Sequence, residues 1–262
     1  MDTLRIEEAD AAQIELAVMS RRGGRSTNQD ACGHWHSDRR LCCVVADGAG
    51  GHGGGDIASK LVVTHIIDQA AAAPLNGPEE IRELLVDANV HLVRNQSESD
   101  AAHDMHSTVV ALFIDIMERK AIWGHSGDSR LYIFRDRRLV SHTRDHSLVQ
   151  LMVDAGMLMP EQMRTHPRRS ELQSALGSRA EDLLVSTADQ PWHLEPEDVF
   201  LLCTDGLWEF VDESEMSSTL TRASDPASWL EALEDLVVQH ATEHGKKSHD
   251  NYSGIAVWVR GG

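Results

Sequence analysis

The sequence predicts an α+β fold, with antiparallel strands at the centre and long helices against them. Three observations carry that expectation. Residues 107–143 break into short strand-like runs separated by tight polar turns, the pattern of an antiparallel meander. Residues 57–72 and 78–97 repeat their apolar side chains with helical period instead. Two further apolar runs, 41–46 and 199–204, read as buried strands, and each leads into Asp-Gly, at Asp47 and at Asp205.

The chain of 262 residues is long enough for one large core, and no repeat, linker or low-complexity tract divides it. Residues 1–262 therefore read as a single domain. Its 42 acidic residues outnumber 24 basic ones, which argues against general nucleic-acid binding and against anionic membrane surfaces. No apolar run has the length of a membrane span, and the N-terminus lacks the apolar core of a signal peptide. The four cysteines, Cys32, Cys42, Cys43 and Cys203, show no C-x-x-C spacing and read as free thiols in a reducing compartment. The expected location is cytoplasmic.

In order, residues 1–13 read as a loose acidic lead-in and 14–20 as a first strand. Residues 21–30, RRGGRSTNQD, form a polar basic loop ending in Asp30. Runs 31–36 and 41–46 can pair as a hairpin across 37–40. His34 and His36 alternate there with Cys32, which fits a strand face better than a metal pair. Six glycines then fall within residues 48–55, and a helix starts near Ile57 with Asp56 at its N-cap. The next helix carries Pro78, Glu79 and Glu80 in its first turn and Leu84, Leu85, Ala88, Leu92 and Val93 on its apolar face.

The meander reads as strand, MERK turn, strand, GDS turn, strand, DR turn and strand, with Asp128 in the second turn. Residues 145–156 read as a helix ended by Gly156. Residues 157–177 hold two prolines and four basic side chains and read as a partly helical surface insertion. After the buried run 199–204 comes an amphipathic helix over 229–242, with Leu230, Leu233, Leu236 and Val237 on one face. The stretch GKKSHDN, containing Asp250, leads into a last strand over 254–259.

Gly48, Gly50 and Gly53 satisfy the G-x-G-x-x-G pattern of dinucleotide sites. The context opposes that reading. Asp47 would aim a negative charge at a pyrophosphate, and no acid closes a second strand about 20 residues on, because Asp68 lies inside the helical pattern. Asp47, Asp128, Asp205 and Asp250 share a different logic, since each flanks a strand end or a turn. Brought together, such acids repel one another and need a cation between them. All-oxygen ligands suit Mg²⁺ or Mn²⁺, and two such ions can clamp an in-line displacement at phosphorus. Spacing alone does not bring them together, and a single Asp-Gly is more often only a turn.

A family resemblance supplies the convergence. R-x-x-x-Q-D at Arg25 to Asp30 is followed by VADGAGGHGGGDIAS from Val45, MHSTVVAL from Met105 and GHSGDSRLYIF from Gly124. TRDHSLVQLMVDAG from Thr143, HPRRSELQSALG from His166, EDVFLLCTDGLWEFV from Glu197 and HDNYSGIAVWV from His249 complete the order. Together these motifs resemble the PPM family of metal-dependent protein phosphatases, the type 2C serine/threonine phosphatases, in compact bacterial form. They cover nearly all of the chain beyond residue 14.

The resemblance implies a four-layer α/β/β/α sandwich, two central antiparallel sheets flanked by helices, with the metal site at one edge. It also implies roles. Asp47 is similar to the carboxylate bridging the first and second metals, and the Gly48 carbonyl to a second-metal ligand. Asp205 and Asp250 match first-metal ligands. Asp128, with Asp205, resembles the ligands of a third, weaker metal, and Asp30 matches an acid that holds metal-bound water. Arg25 resembles the arginine that binds substrate phosphate, a role its guanidinium fork suits. The catalytic set so implied is Asp47, Arg25 and Asp205, and residues 148–177 resemble the flap beside the active site.

The implied activity is hydrolysis of phosphoserine and phosphothreonine in proteins. Water acidified by two tight Mn²⁺ or Mg²⁺ ions would attack in line without a phosphoenzyme. A serine/threonine kinase would act on the same substrates, and a monomer is expected. The chain departs from the pattern at Ala49, where relatives carry Met or a His proposed as general acid. It departs too at Gln29 for Glu and at His106 for Gly, while His52 is a weaker stand-in for the missing acid. The rival readings are a non-catalytic metal-dependent phosphopeptide-binding module and a regulatory phosphatase acting on anti-sigma-factor antagonists. The persistence of Asp47, Asp205 and Asp250 disfavours the first, and the lack of room for a sensory domain disfavours the second.

Overall fold

Central strands here are apolar on both faces, and the architecture follows from that. The structure, a computed structural model, describes residues 2–6, 13–50, 54–75, 77–97, 105–243 and 249–261. In β6 (Val109–Asp115), Val110, Leu112 and Ile114 face a core between two sheets, while Val109, Ala111 and Phe113 face helices. A strand with one wet face would alternate apolar with polar side chains instead.

The first sheet runs β1 (Asp2–Ile6), β2 (Gln13–Arg21), β13 (Tyr252–Arg260), β12 (Val199–Cys203), β8 (Arg130–Arg135) and β9 (Arg138–His142). The second runs β10 (Ser186–Thr187), β7 (Lys120–Ser126), β6, β4 (Arg40–Ala49) and β3 (Asp30–His36). Two short strands extend it, β5 (His106–Ser107) beside β4 and β11 (Trp192–His193) beside β7. Every pairing is antiparallel. Helices α1 (Gly54–Ala72) and α2 (Pro78–Ser97) cover the second sheet through Val62, Ile66, Leu85 and Leu92. Helices α5 (Glu213–Arg222) and α6 (Pro226–Glu243) cover the first, with Trp229, Leu230, Leu233 and Val237 packed on Tyr132, Phe134 and Trp258. The result is the expected sandwich of four layers and three apolar seams.

Several local expectations are corrected. Part of the lead-in is a strand, because Leu4 and Ile6 alternate inward and pair with Leu16 and Ile14. Residues 7–12 of it, and 245–248 of the GKKSHDN stretch, lie outside the described residues. The meander is divided between sheets. β6 and β7 pair in one, β8 and β9 in the other, and the segment 127–129 is a crossing rather than a hairpin turn. Both β7 and β8 are buried among apolar neighbours, so each fills its own sheet and the chain passes between them.

The helix expected from residue 145 starts at α3 (Leu148–Asp154), capped by Ser147. Asp145 is withheld from it by a bidentate pair with Arg130, at 2.7 and 2.8 Å. Gly156 does follow that helix, with φ of 69°. The insertion contains only a 3₁₀ turn, Pro160–Thr165. Helix α5 was not expected. Its stripe of Met216, Thr219 and Leu220 is short, although the capping box of Asp212 and Glu215 was a legible start signal. All four cysteines are free, as expected, and burial pushes each thiol up and out of reactivity.

Candidate active site

One end of the sandwich gathers acids from distant parts of the chain. Asp47 lies in β4, directly opposite Asp30 of β3. Thr108 clamps the Asp47 backbone on the other side, accepting its N–H on Oγ1 at 2.9 Å and donating its own N–H to the Asp47 carbonyl at 2.8 Å. The next residue must be glycine, because a Cβ on Gly48 would stand 1.9 Å from the Gly55 carbonyl oxygen in α1. The glycine-rich stretch thus serves close packing of strand on helix in the part the structure describes. Residues 51–53, and His52 with them, lie outside it.

Asp205 opens the short helix α4 (Asp205–Trp208) straight after β12. Gly206 allows it to lie against the start of β13, since a Cβ there would meet the Asn251 carbonyl oxygen at 1.9 Å. That contact sets Asp205 beside Asp250. Asp128 occupies the crossing between sheets, where its carbonyl accepts the Trp208 indole N–H at 2.9 Å. Asp47, Gly48, Asp128, Asp205 and Asp250 line one cleft with Arg25, Gln29 and Ala49. Ser170, Leu172 and Ala175 of the flap-like segment form its other wall. Asp30 stands behind this lining, buried, with Oδ2 accepting the Thr204 hydroxyl at 3.0 Å.

The electrostatics are those of a site built for cations. Burial first, and then repulsion from Asp30, Asp205, Asp128 and Asp250, push the Asp47 carboxyl far above its ordinary range. Burial and the charge of Asp128 do the same to Asp205. Burial raises Asp30 to about 6, and burial with Asp145 nearby raises Asp128 to about 7. Oδ1 of Asp205 and Oδ1 of Asp30 are buried acceptors without a hydrogen-bond donor among the described residues. Such orphans ask for a ligand. Among the described residues no three His, Cys, Asp or Glu side chains close on one point. An ion here would therefore also need backbone carbonyl and water ligands, as Mg²⁺ and Mn²⁺ readily take.

Other residues of the site had no role assigned from the sequence. Asn251 accepts the Gln29 N–H at 2.9 Å and donates to the carbonyls of Arg22 and Thr27 at 2.7 and 2.9 Å. It thereby ties the loop carrying Arg25 to the strand that follows Asp250. Thr204 donates to Asp30 and accepts the Ser253 N–H at 3.0 Å. Arg169 of the flap pairs with Glu209 at 2.6 Å, and its charge also bears on Asp205 and Asp250. The only sequence signal for these was their adjacency to the acids, or a basic residue within the insertion. Ala49 offers a methyl group and no proton. Its register partner on β5 is His106. Arg25 reaches Asp250 with Nη2 to Oδ2 at 2.5 Å.

A double antiparallel sandwich with a carboxylate cleft at one edge fits one class, the metal-dependent phosphoester hydrolases. The sequence model of one family, protein phosphatase 2C, matches residues 19–238, and the chain belongs to that family of metal-dependent protein phosphatases. It is 30% identical over 215 residues to the protein phosphatase PhpP of Streptococcus pneumoniae, covering 79% of this chain and 85% of that one. A solved serine/threonine phosphatase of S. agalactiae superimposes with a TM-score of 0.78 at 28% identity, over 94% of this chain and 100% of the other. The catalytic domain of the phosphatase PstP, solved with two manganese ions, superimposes with the same score of 0.78 at 24% identity, over 96% and 100%. The chain is accordingly a hydrolase of phosphoserine and phosphothreonine esters.

Proposed function

We propose that this cleft is the catalytic centre, with Asp47 shared between two divalent ions and the Gly48 carbonyl adding to the second. Asp205 and Asp250 complete the first, and Asp128 with Asp205 holds a third, weaker ion. Mn²⁺ or Mg²⁺ is the resident metal. The observation that carries this is the single cleft lined by Asp47, Gly48, Asp128, Asp205 and Asp250, where burial and mutual repulsion oppose the ionised forms of Asp47 and Asp205. Bound ions would neutralise the site and the phosphate ester and supply an activated water. Asp30, fixed by Thr204 behind Asp47, orients water at the inner wall. Arg25 binds two phosphate oxygens. Its place in the cleft lining and its pair with Asp250 support that role. Ala49 can donate no proton, so protonation of the leaving alkoxide falls to water in the cleft.

The whole chain acts as one catalytic unit, and residues 148–177 as the flap that shapes substrate choice. Phosphorylated proteins are the substrates, a serine/threonine kinase their source, and the enzyme works as a monomer in the cytoplasm. Among the described residues no helix is long and apolar enough to cross a membrane.

The test is hydrolysis of a chromogenic aryl phosphate by chelator-stripped protein supplied with Mn²⁺, Mg²⁺, Zn²⁺ or nothing. Activity restored by Mn²⁺ or Mg²⁺ supports the reading; silence with every metal, in folded protein that binds them, overturns it. Arg25→Ala should raise KM for phosphate esters about 10-fold, the loss of a charge-assisted hydrogen bond, with a smaller change in kcat. An unchanged KM with a reduced kcat would exclude a ground-state phosphate contact. Asp128→Ala should leave two tight Mn²⁺ sites and lower turnover at limiting Mn²⁺. Calorimetric loss of every site would show that Asp128 belongs to the inner pair.

A further inference from the structure

We propose that His146 is a positioning residue, and that its imidazole, held in one tautomer, fixes Asp128 and the flap wall of the cleft relative to each other. The inference rests on the reading of Asp128 as a ligand of the weaker ion.

The geometry begins at Gly127, which enters the crossing between sheets with φ of 99°. Both of its backbone groups are taken by His146. The His146 N–H donates to the Gly127 carbonyl at 2.9 Å, and the Gly127 N–H donates to His146 Nδ1 at 3.3 Å. Asp128 follows at once, and its own carbonyl is held by Trp208. Asp128 is thus fixed from two sides, by an imidazole before it and an indole after it.

That first bond decides the tautomer. Nδ1 accepts, so in a neutral ring the hydrogen sits on Nε2 and is donated to Ser186 Oγ at 2.9 Å. The ring is neutral because burial lowers its pKa to about 4. It stacks on His125 at 4.7 Å and 12°. His125 in turn must donate from Nε2 to the Arg144 carbonyl at 2.8 Å, since a carbonyl only accepts. The slot therefore admits one ring position and one proton arrangement.

On its far side the same residue holds the flap. The His146 carbonyl accepts the Gln173 N–H at 2.8 Å, and the Leu148 N–H donates to the Glu171 carbonyl at 2.8 Å. Leu172 lies between these anchors and lines the cleft together with Asp128. A shift of His146 would move the Asp128 crossing and the flap wall together.

Isosteres separate this role from packing. His146→Asn keeps an acceptor where Nδ1 stands but cannot reach Ser186. His146→Gln reaches toward Ser186 but offers Gly127 no acceptor. Ser186→Ala loosens the ring from outside the cleft. Mn²⁺ calorimetry on chelator-stripped proteins, and kcat and KM for an aryl phosphate against Mn²⁺ concentration, are the readouts. His146→Gln should weaken the low-affinity Mn²⁺ about 10-fold, the effect of one buried hydrogen bond, and lower kcat at limiting Mn²⁺ with KM unchanged. His146→Asn should stay within about 3-fold of wild type, and the tight Mn²⁺ sites should be unaltered in both. Ser186→Ala should weaken the low-affinity Mn²⁺ by about 3-fold, which keeps the inference testable if His146→Gln does not fold.

Asp128→Ala, run alongside, must itself lose the low-affinity ion. If it does not, the reading of Asp128 falls and the inference with it. If Asp128→Ala loses the ion while the Asn and Gln variants behave alike, or Ser186→Ala changes nothing, the inference alone is overturned.

Discussion

Asp47→Asn should lower kcat by at least about 10³-fold while making the metal-free protein more stable. The two effects have one cause. Asp47 is the acid on which the other four bear, and its ionised form is opposed by burial and by Asp30, Asp205, Asp128 and Asp250. Asparagine keeps the shape and removes the charge. Without metal, that relieves repulsion, and each kcal/mol gained should raise the melting temperature by about 2–4 °C for a chain of this size. With Mn²⁺ present, the wild type should gain far more than the variant, because the variant has lost the charge shared by two ions. Melting curves with and without chelator, beside aryl phosphate turnover, make the comparison. Near-normal turnover, or a metal-free variant less stable than wild type, would remove Asp47 from the centre of the site.

The second large effect concerns pH. Asp30 and Asp128 have folded pKa values near 6 and near 7, raised from an ordinary 3.8. For an acid raised in this way the folded state binds more protons than the unfolded one between those limits. Stability therefore falls as pH rises from about 4 to about 7, by on the order of 3 kcal/mol for either acid alone. Burial and repulsion raise Asp47 and Asp205 as well, so their ionisation also costs stability as pH rises. The buried histidines oppose the trend. His146 is lowered from 6.5 to about 4 and His125 is lowered too, so both lose stability as pH falls.

The clean quantity is the difference between metal-loaded and chelated protein, in which the histidine contributions largely cancel. That difference in melting temperature should grow steadily from pH 5 to pH 7.5, because protons compete with metal for the same carboxylates. A metal-induced shift that does not depend on pH would mean that the ions bind elsewhere.

Much of this protein is determined by the sequence alone. Period and run length set the type of most of the long segments, though not of the short helix α5 or of strand β1. Val109 to Ile114 is apolar throughout because helices cover one face of that strand and a sheet covers the other. The ordered motifs, read through their family resemblance, name the sandwich and its five acids. Free cysteines also follow from spacing and burial.

Only the tertiary structure decides which strands are neighbours. No local pattern tells that β7 and β8 part company at Gly127, or that Leu4 and Ile6 pair with β2. Nor does any local signal place Asp30 opposite Asp47, or bring Thr204 to Asp30 across 174 residues. Asn251 and His146 are legible as polar residues, but their work is done on backbone groups far away in sequence. The physical reason is common to all of these. A side chain's face is set by dihedral periodicity within a few residues, whereas its partner is set by how two sheets and four long helices close around shared apolar seams.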